Sequence, residues 1–514
     1  MPTPMNCERR GSCAILLSGR HTRRTLARFF VERKSRMTRS ERRAIETLEL
    51  TGHLSPADKE NSAYVLLPFD VPEWVARLEI RYSFSDDKPG GFLQQPGNLL
   101  DIGLFDPRGS EFLSARGFRG WSGSARREFV LGVDEATPGY LLGPILPGRW
   151  EIVLGLVRIL PEGCDYCVTV QLFAGDSTPS VFTTPAPPPV LHQKPGWYRG
   201  DLHCHTHHSD AQGSLADLAQ AARDQGLDFL AVTDHNTVSH LSCLAAHAGA
   251  DLLLIRGMEI TTEKGHANAW GIDRWHEFRC ETPAQMARVV EDVRSSGALI
   301  SINHPKLGGP PWQFGGEARF DCLEVWQAPW LVFNDQSLEL WDRLLKAGHR
   351  ITAVGGSDVH QMPAGEEVEG LRVGQPCTWV YAQELSEQGI LAGIRAGQVF
   401  VSESPRGPKL LLAADLGGDG RYEVRMGDSV HVPRGKTIRL HCEAEGAAGC
   451  GLRIRSPEKD LQVGVERESF CHEWQARIDR DTHFRAELWY QPGGETPVVR
   501  ALSNPIYFKL SSSL

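Results

Sequence analysis

No apolar run in the chain reaches the roughly 18 to 20 residues that a membrane helix requires, so a helical span is excluded and no membrane partner is expected. Nor is there a surplus of positive charge. The 514 residues carry a net charge of −9, which gives no general attraction to nucleic acid or to anionic lipid. Polyanionic polymers are therefore disfavoured as substrates. The twelve cysteines are scattered through apolar segments (Cys243, Cys322, Cys377) and form no short paired framework. That excludes a disulfide scaffold and suits a reducing, cytoplasmic setting. Cys164 and Cys167 make a lone C-x-x-C that lacks both the second ligand pair of a structural zinc site and the strand-to-helix turn of a redox motif. The start of the chain is rich in arginine and poor in acidic residues, and its one apolar stretch, "CAILL", is too short for a signal-peptide core. Residues 1–48 are expected to be a disordered basic tail, with Met37 as an alternative beginning.

What is present suffices for two or three cores: 41% hydrophobic residues beside 23% charged ones, in a chain too long for one ordinary domain. Across residues 49–175 short alternating or aliphatic runs ("RLEIRYSF", "LLDIGLFDP", "RWEIVLGLV", "CVTVQLFA") are separated by Gly, Pro and Asp, which predicts a β-sandwich. Residues 176–196 are Pro-rich and read as a linker. From 197 to 405 strands alternate with helices. Ser214 is placed to cap one helix that stops at Gly226, and Thr282 with Pro283 opens another that stops at Gly297. Between them lie aliphatic runs short enough for buried parallel strands: "FLAVTD", "LLLIRGME", "ALISINH", "CLEVWQ", "ITAVGGSD", "TWVYA". Residues 406–514 return to the β style and predict a second β-sandwich. The fold class is multidomain, α/β plus all-β.

The polar residues fall at particular places in this scheme. His203 and His205 are two apart on one strand, so their side chains share a face as a metal chelate needs. Asp210 follows. Asp234 and His235, then Glu259, then His304, then Asp358 and His360 each close an aliphatic run, and His266 opens one. The mouth of a (β/α) barrel is built from such strand ends. Each residue alone has an ordinary explanation, as a hydrogen-bonded histidine or a helix-capping aspartate. Together they do not, because burying so many ionisable groups without cations would cost several kcal/mol each. A mixed imidazole and carboxylate set suits zinc, manganese or iron(II), and leaves room for more than one ion.

In this order, "DLHCHTHHSD", "TDH", "GME", "NHP" and "SDVH" resemble the motifs of the PHP (polymerase and histidinol phosphatase) superfamily, and "WYRGDLHCHT" with "GHANAWG" resembles its carbaryl-hydrolase-type metallohydrolase branch. The resemblance covers about 197–404 and implies a distorted (β/α)7 PHP barrel, flanked here by the two sandwiches, that holds two or three divalent ions. It implies His203, His205, Glu259 and Asp358 for the first ion, Glu259, His266 and His304 for the second, and Asp210, His235 and His360 for the third. One departure is that Ala211 and Gln212 separate Asp210 from Gly213, where the family commonly has glycine at once.

Among the neighbours, His207 and His208 are expected to point to solvent or substrate, and His240 and His247 to lie on the surface. Asp234 is expected to orient or cap beside His235, and Trp326 and Trp330 to line the mouth or pack. Lys306 and Arg372 are candidates for binding an anionic substrate. Clustered divalent ions lower the pKa of a bound water and clamp an electrophile's oxygen. The expected function is accordingly a metal-dependent hydrolase using a metal-bridging hydroxide, a phosphoesterase acting on a small phosphate ester, with Glu259, Asp358 and His360 at the reaction. An ester or carbamate hydrolase is the first alternative, and a non-catalytic binding module the second. The partner is a small molecule, with no nucleic acid.

Overall fold

A computed structural model describes residues 44–88, 96–175, 185–360, 372–491, 493 and 496–511. The expected tail therefore lies almost wholly outside the described residues. Its last residues do not belong to a tail, since the first strand, β1 (Glu46–Leu54), starts before residue 49.

The N-terminal module adds α1 (Pro56–Asn61), β2 (Tyr64–Val71), β3 (Val75–Phe84), β4 (Leu99–Phe105), β5 (Phe118–Gly123), β6 (Glu128–Gly132), β7 (Gly148–Arg158) and β8 (Cys164–Ala174). The strands form two antiparallel four-stranded sheets, β1-β8-β3-β6 and β2-β7-β4-β5. Period-2 alternation sends Leu78 and Ile80 from one sheet, and Ile102, Leu104, Ile152 and Leu154 from the other, into one shared core. Cys164 and Cys167 lie on β8 as free thiols, Cys164 buried and Cys167 half-buried.

In the central region, helices begin where local chemistry satisfies their first amides. At Ser214 and Thr282 the hydroxyl accepts from the backbone N–H three residues on, while Asp217 or Gln285 reaches back to the cap's own N–H. The helices are α2 (Leu215–Asp224), α3 (Leu244–His247), α4 (Pro283–Ser295), α5 (Asn334–Lys346) and α6 (Glu387–Arg395). None of the described helices is long and apolar enough to cross a membrane. The strands are β9 (Gly196–Asp201), β10 (Phe229–Val232), β11 (Leu253–Thr262), β12 (Gly265–Trp270), β13 (Leu299–Asn303), β14 (Cys322–Gln327), β15 (Thr352–Gly356), β16 (Cys377–Ala382) and β17 (Val399–Ser402). They pair in the order β15-β14-β13-β12-β11-β10-β9-β16-β17. Just beyond β9 and β15 the backbone meets again, with Asp358 N donating to His203 O at 2.8 Å and His205 N to Val359 O at 3.3 Å. Asp201 ties this junction together, because its carboxylate accepts from the backbone amides of His203, Ser357 and Gly374.

The expected regular βα alternation is broken in more than one place: β16 runs antiparallel to both β9 and β17, and the second break lies beside the donors. β11 and β12 form a hairpin with no helix between them, and β12 runs antiparallel to both of its neighbours. Gly265 makes the tight return possible. Its φ is +132°, and a Cβ there would stand 2.7 Å from the Trp312 ring. The reversal explains why His266 opens its strand while the other donors close theirs: on an antiparallel strand the first residues lie beside its neighbours' last.

The linker is more engaged than its proline content predicts. Leu191 N donates to Leu385 O, and Leu385 N donates to His192 O. At the C-terminal side, Lys409–Asp415, Lys436–Glu445 and Ser469–Ile478 build a sheet of their own with the short strand Val424–Arg425. The strand Val498–Ser503 instead pairs antiparallel with β17, so one sheet runs across the expected boundary at residue 405. The N-terminal module docks through aromatic residues. Phe118 stacks on Trp275 at 4.4 Å, and Trp121 meets Phe278 edge-on at 4.6 Å.

Candidate metal centre

The nine proposed donors come from six separate stretches of chain, and the structure brings them together. Glu259 is at the middle. Its Oε1 lies 3.2 Å from His203 Nε2, 3.2 Å from His266 Nδ1 and 3.4 Å from His304 Nε2. Its Oε2 lies 2.7 Å from His235 Nδ1 and 3.7 Å from His205 Nε2. Asp358 Oδ1 closes on the first pair, 3.3 Å from His203 Nε2 and 2.9 Å from His205 Nε2. Asp210 Oδ1 stands 3.5 Å from His235 Nε2 and 3.4 Å from His360 Nε2. Four groupings with metal-site spacing result among the described residues: His203, His205 and Glu259; Glu259, His266 and His304; His205, Asp210, His235 and His360; and His203, His304 and Glu324.

The donor atoms fit divalent ions. His203 Nε2, His205 Nε2, His266 Nδ1 and Asp358 Oδ1 are fully buried and make no hydrogen bond among the described residues, an arrangement that is costly for polar atoms unless something else satisfies them. The protonation pattern agrees. Burial works against charge throughout, yet Asp358, Glu324 and Glu259 hold His203 well above the usual histidine range, and Glu259 brings His235 up to about 9. His205 is pushed down to about 4 by burial and by His235 and His360. Against burial, His203, His266 and His235 hold the Glu259 carboxyl well below the usual range. The buried carboxylates at the centre thus favour positive charge beside them, which bound cations would supply.

Backbone geometry aims several donors. His304 and Asp358 have φ of +28° and +54°, a region that non-glycine residues enter at a cost and that clusters at functional sites. The unusual loop after Asp210 is anchored by Gln212 N, which donates to His360 O at 2.9 Å.

The surrounding residues depart from expectation in places. Asp234 does not cap His235. Its buried carboxylate accepts from Thr206 N, Thr206 Oγ1 and Ser209 Oγ, and lies 3.0 Å from His240 Nδ1. His240 is therefore a buried residue and not a surface one, with Nε2 also 3.0 Å from Gly257 O; His247 is half-buried. His208 is likewise buried against Ser239 Oγ at 2.8 Å, whereas His207 is half-buried. Trp326 and Trp330 are both buried and pack edge-on at 5.0 Å. Lys306 is 2% exposed, and its ammonium donates to Gln327 O and Asn334 Oδ1. Burial lowers its pKa to about 8. Arg372 is exposed and borders residues outside the description.

The residue that sequence reasoning missed is Glu324. It is 2% exposed on β14, accepts from His304 N at 2.9 Å and lies 2.9 Å from His203 Nδ1. It thereby fixes which ring nitrogen of His203 faces the cluster. Asn303 and Gln327 do the same for the carboxylates, donating to Glu259 Oε1 and Asp358 Oδ2. Glu324→Ala is expected to weaken metal affinity about 10- to 100-fold, as read by competition with a chelator of known affinity. Unchanged affinity would mean that Glu324 does not orient His203.

Beside the cluster is a cavity of about 430 Å³ that reaches from Asp210, His235 and His266 to Tyr64, Asp101 and Trp121 of the N-terminal module. Fold and site together define a protein with a buried, multi-histidine centre that could hold metal ions. Residues 201–364, which include all nine donors, match the family model of the PHP domain; the chain carries a PHP domain. No curated protein matches it. Solved structures similar to it include a two-domain protein containing a predicted PHP-like metal-dependent phosphoesterase from Bacteroides vulgatus, 16% identical over 59% of this chain and 93% of that one, with a TM-score of 0.33. Another is a candidate metal-dependent phosphoesterase from Bifidobacterium adolescentis, 18% identical over 34% of this chain and 92% of that one, with a TM-score of 0.26. A third is an amidohydrolase from Chromobacterium violaceum with bound sulfate and no metal, 16% identical over 32% and 88%, with a TM-score of 0.23.

Proposed function

We propose that the chain is a metal-dependent hydrolase acting on a small phosphate ester. The observation that supports this reading is the Glu259 carboxylate set among five imidazoles, with buried donor atoms that make no hydrogen bond of their own. His203, His205, Glu259 and Asp358, then Glu259, His266 and His304, then Asp210, His235 and His360 are the residues that would hold the ions. When bound, divalent ions there supply Lewis acidity toward a phosphoryl or carbonyl oxygen and a water of lowered pKa. The protein contributes rigidity and charge. Glu324, Asn303 and Gln327 lock the donors, while Glu259 and Asp358 bring negative charge to the centre. His360, whose side chain is 28% exposed, is the most open of the imidazoles and is assigned to the reaction with Glu259 and Asp358.

A second reading, hydrolysis of a neutral ester or carbamate, is favoured by one observation: none of the residues lining the cavity is Lys or Arg, and the Lys306 ammonium is bonded internally. Activity of metal-supplemented protein on aryl phosphates, phosphodiesters and aryl carbamates separates the two. The expected result is hydrolysis of a phosphate monoester, with competitive inhibition by millimolar inorganic phosphate. A carbamate or ester turned over with higher kcat/KM than every phosphate ester, without phosphate inhibition, would replace the first reading by the second. Activity on none of them would leave a binding module.

A further inference from the structure

The N-terminal module turns one face of its sheet toward the donor cluster. On β4, Ile102 and Leu104 enter the module's own core, so Asp101 and Gly103 lie on the opposite face. Asp101 is registered with Gly155, and Gly155 with Tyr64. Two glycines on this face make room for an indole. A Cβ at Gly103 would stand 2.4 Å from Trp121 Cε3, and one at Gly155 would stand 3.0 Å from Trp121 Cη2. Trp121 thus lies against the sheet, 4% exposed, held from the other side by Phe278.

Its pyrrole edge converges with Asp101 on the open side of Gly123, where a Cβ would be 3.6 Å from both Trp121 Nε1 and Asp101 Oδ1. Neither the indole N–H nor the Asp101 carboxyl makes a hydrogen bond or ion pair among the described residues. Both border the cavity that reaches His235 and His266. The titratable side chains facing it are the carboxyls of Asp101, Asp210 and Glu263, of which Glu263 pairs with Lys59 at 2.7 Å, the Tyr64 phenol and, at the cluster end, the imidazoles of His235 and His266; no Lys or Arg lines it. Burial, with the nearby Glu263, raises Asp101 to about 7. An indole N–H and a carboxyl that face a cavity without protein partners are open to hydrogen bonds from a ligand.

We propose that Asp101 and Trp121 are specificity-determining residues that bind the non-reacting end of the substrate, an apolar group carrying a hydrogen-bond donor and no negative charge. The direction of binding rests on the hydrolase reading, which puts the reacting end at the donor cluster. Asp101 accepts from an amine or a hydroxyl; Trp121 Nε1 donates to a lone pair when the group offers one. An anionic group at that end meets the Asp101 carboxyl and no Lys or Arg in the lining.

The test uses metal-loaded protein and three substrates that differ at the far end: 4-(aminomethyl)phenyl, 4-(hydroxymethyl)phenyl and 4-carboxyphenyl phosphate. Benzylamine and benzyl alcohol serve as calorimetric probes of the non-reacting end, and inorganic phosphate as the probe of the reacting end. The carboxyl substrate is expected to be the poorest by about thirtyfold in kcat/KM, and Asp101→Asn to raise KM for the amine about tenfold with a smaller change in kcat. Asp101→Asn should also narrow the gap to the carboxyl substrate and leave inhibition by inorganic phosphate unchanged. Trp121→Phe keeps the ring and removes the donor, and provides a second variant. Equal use of the three substrates, or a loss in Asp101→Asn that is shared by inorganic phosphate, overturns the proposal. Benzylamine bound in an Asp101-dependent way without hydrolysis of any substrate would remove the hydrolase reading and leave this site. Hydrolysis indifferent to both variants would do the reverse, and neither binding nor hydrolysis removes both.

Discussion

Glu259→Gln is expected to lower kcat/KM by about a thousandfold or more and to reduce the metal content, while the far-ultraviolet circular dichroism stays that of the parent. The substitution keeps the size of the side chain and removes the charge that lies within 3.7 Å of five imidazole nitrogens. No other described carboxylate meets as many of the donor histidines, so its loss uncouples groupings that otherwise share a ligand. The fold is expected to survive the loss of that charge, since most of its buried core is aliphatic and aromatic. Near-normal turnover in the variant would refute the central role of Glu259.

Elemental analysis of metal-supplemented protein is expected to find two or three transition-metal ions per chain. Nine donors exceed what a single four- to six-coordinate ion can use; eight of them fall into groupings with metal-site spacing, two of which share Glu259, and Asp358 closes on His203 and His205. Dialysis against a strong chelator should abolish hydrolysis, and zinc, manganese or iron(II) should restore it. Finding at most one ion after supplementation would exclude the three-ion assignment, and full activity in metal-stripped protein would exclude metal dependence altogether.

Much of this centre is legible because its donors sit where a strand would otherwise continue in aliphatic residues. His203, His205, Glu259, His304 and Asp358 interrupt or end such runs, and no packing requirement explains them. The helices that frame them are legible for a similar reason, since the caps at Ser214 and Thr282 act within four residues of chain. What could not be read is carried by long-range pairing. Glu324 lies inside "CLEVWQ", where one carboxylate among apolar residues carries no local sign of a partner 121 residues away. The β11–β12 hairpin depends on a turn at Gly265 that resembles an ordinary loop. Lys306 follows His304 by two residues, yet its ammonium turns inward to Gln327 O and Asn334. Asp101 belongs to a different module from the donors, and only the docked sheet face brings it to the cavity.

The pairing of β17 with Val498–Ser503 bears on how such a chain can be cut or inherited. Every residue of β17 is buried, and three of them are registered against the C-terminal strand. A cut at residue 405 would bare an apolar strand edge, the kind of surface that recruits other chains. The C-terminal module is thus a cover strip for the central region's sheet and not a detachable bead. Gene fusions or truncations that respect the apparent border between the two would yield sticky fragments, and moving the junction ahead of β16 would only transfer the bared edge to β9, with which β16 pairs.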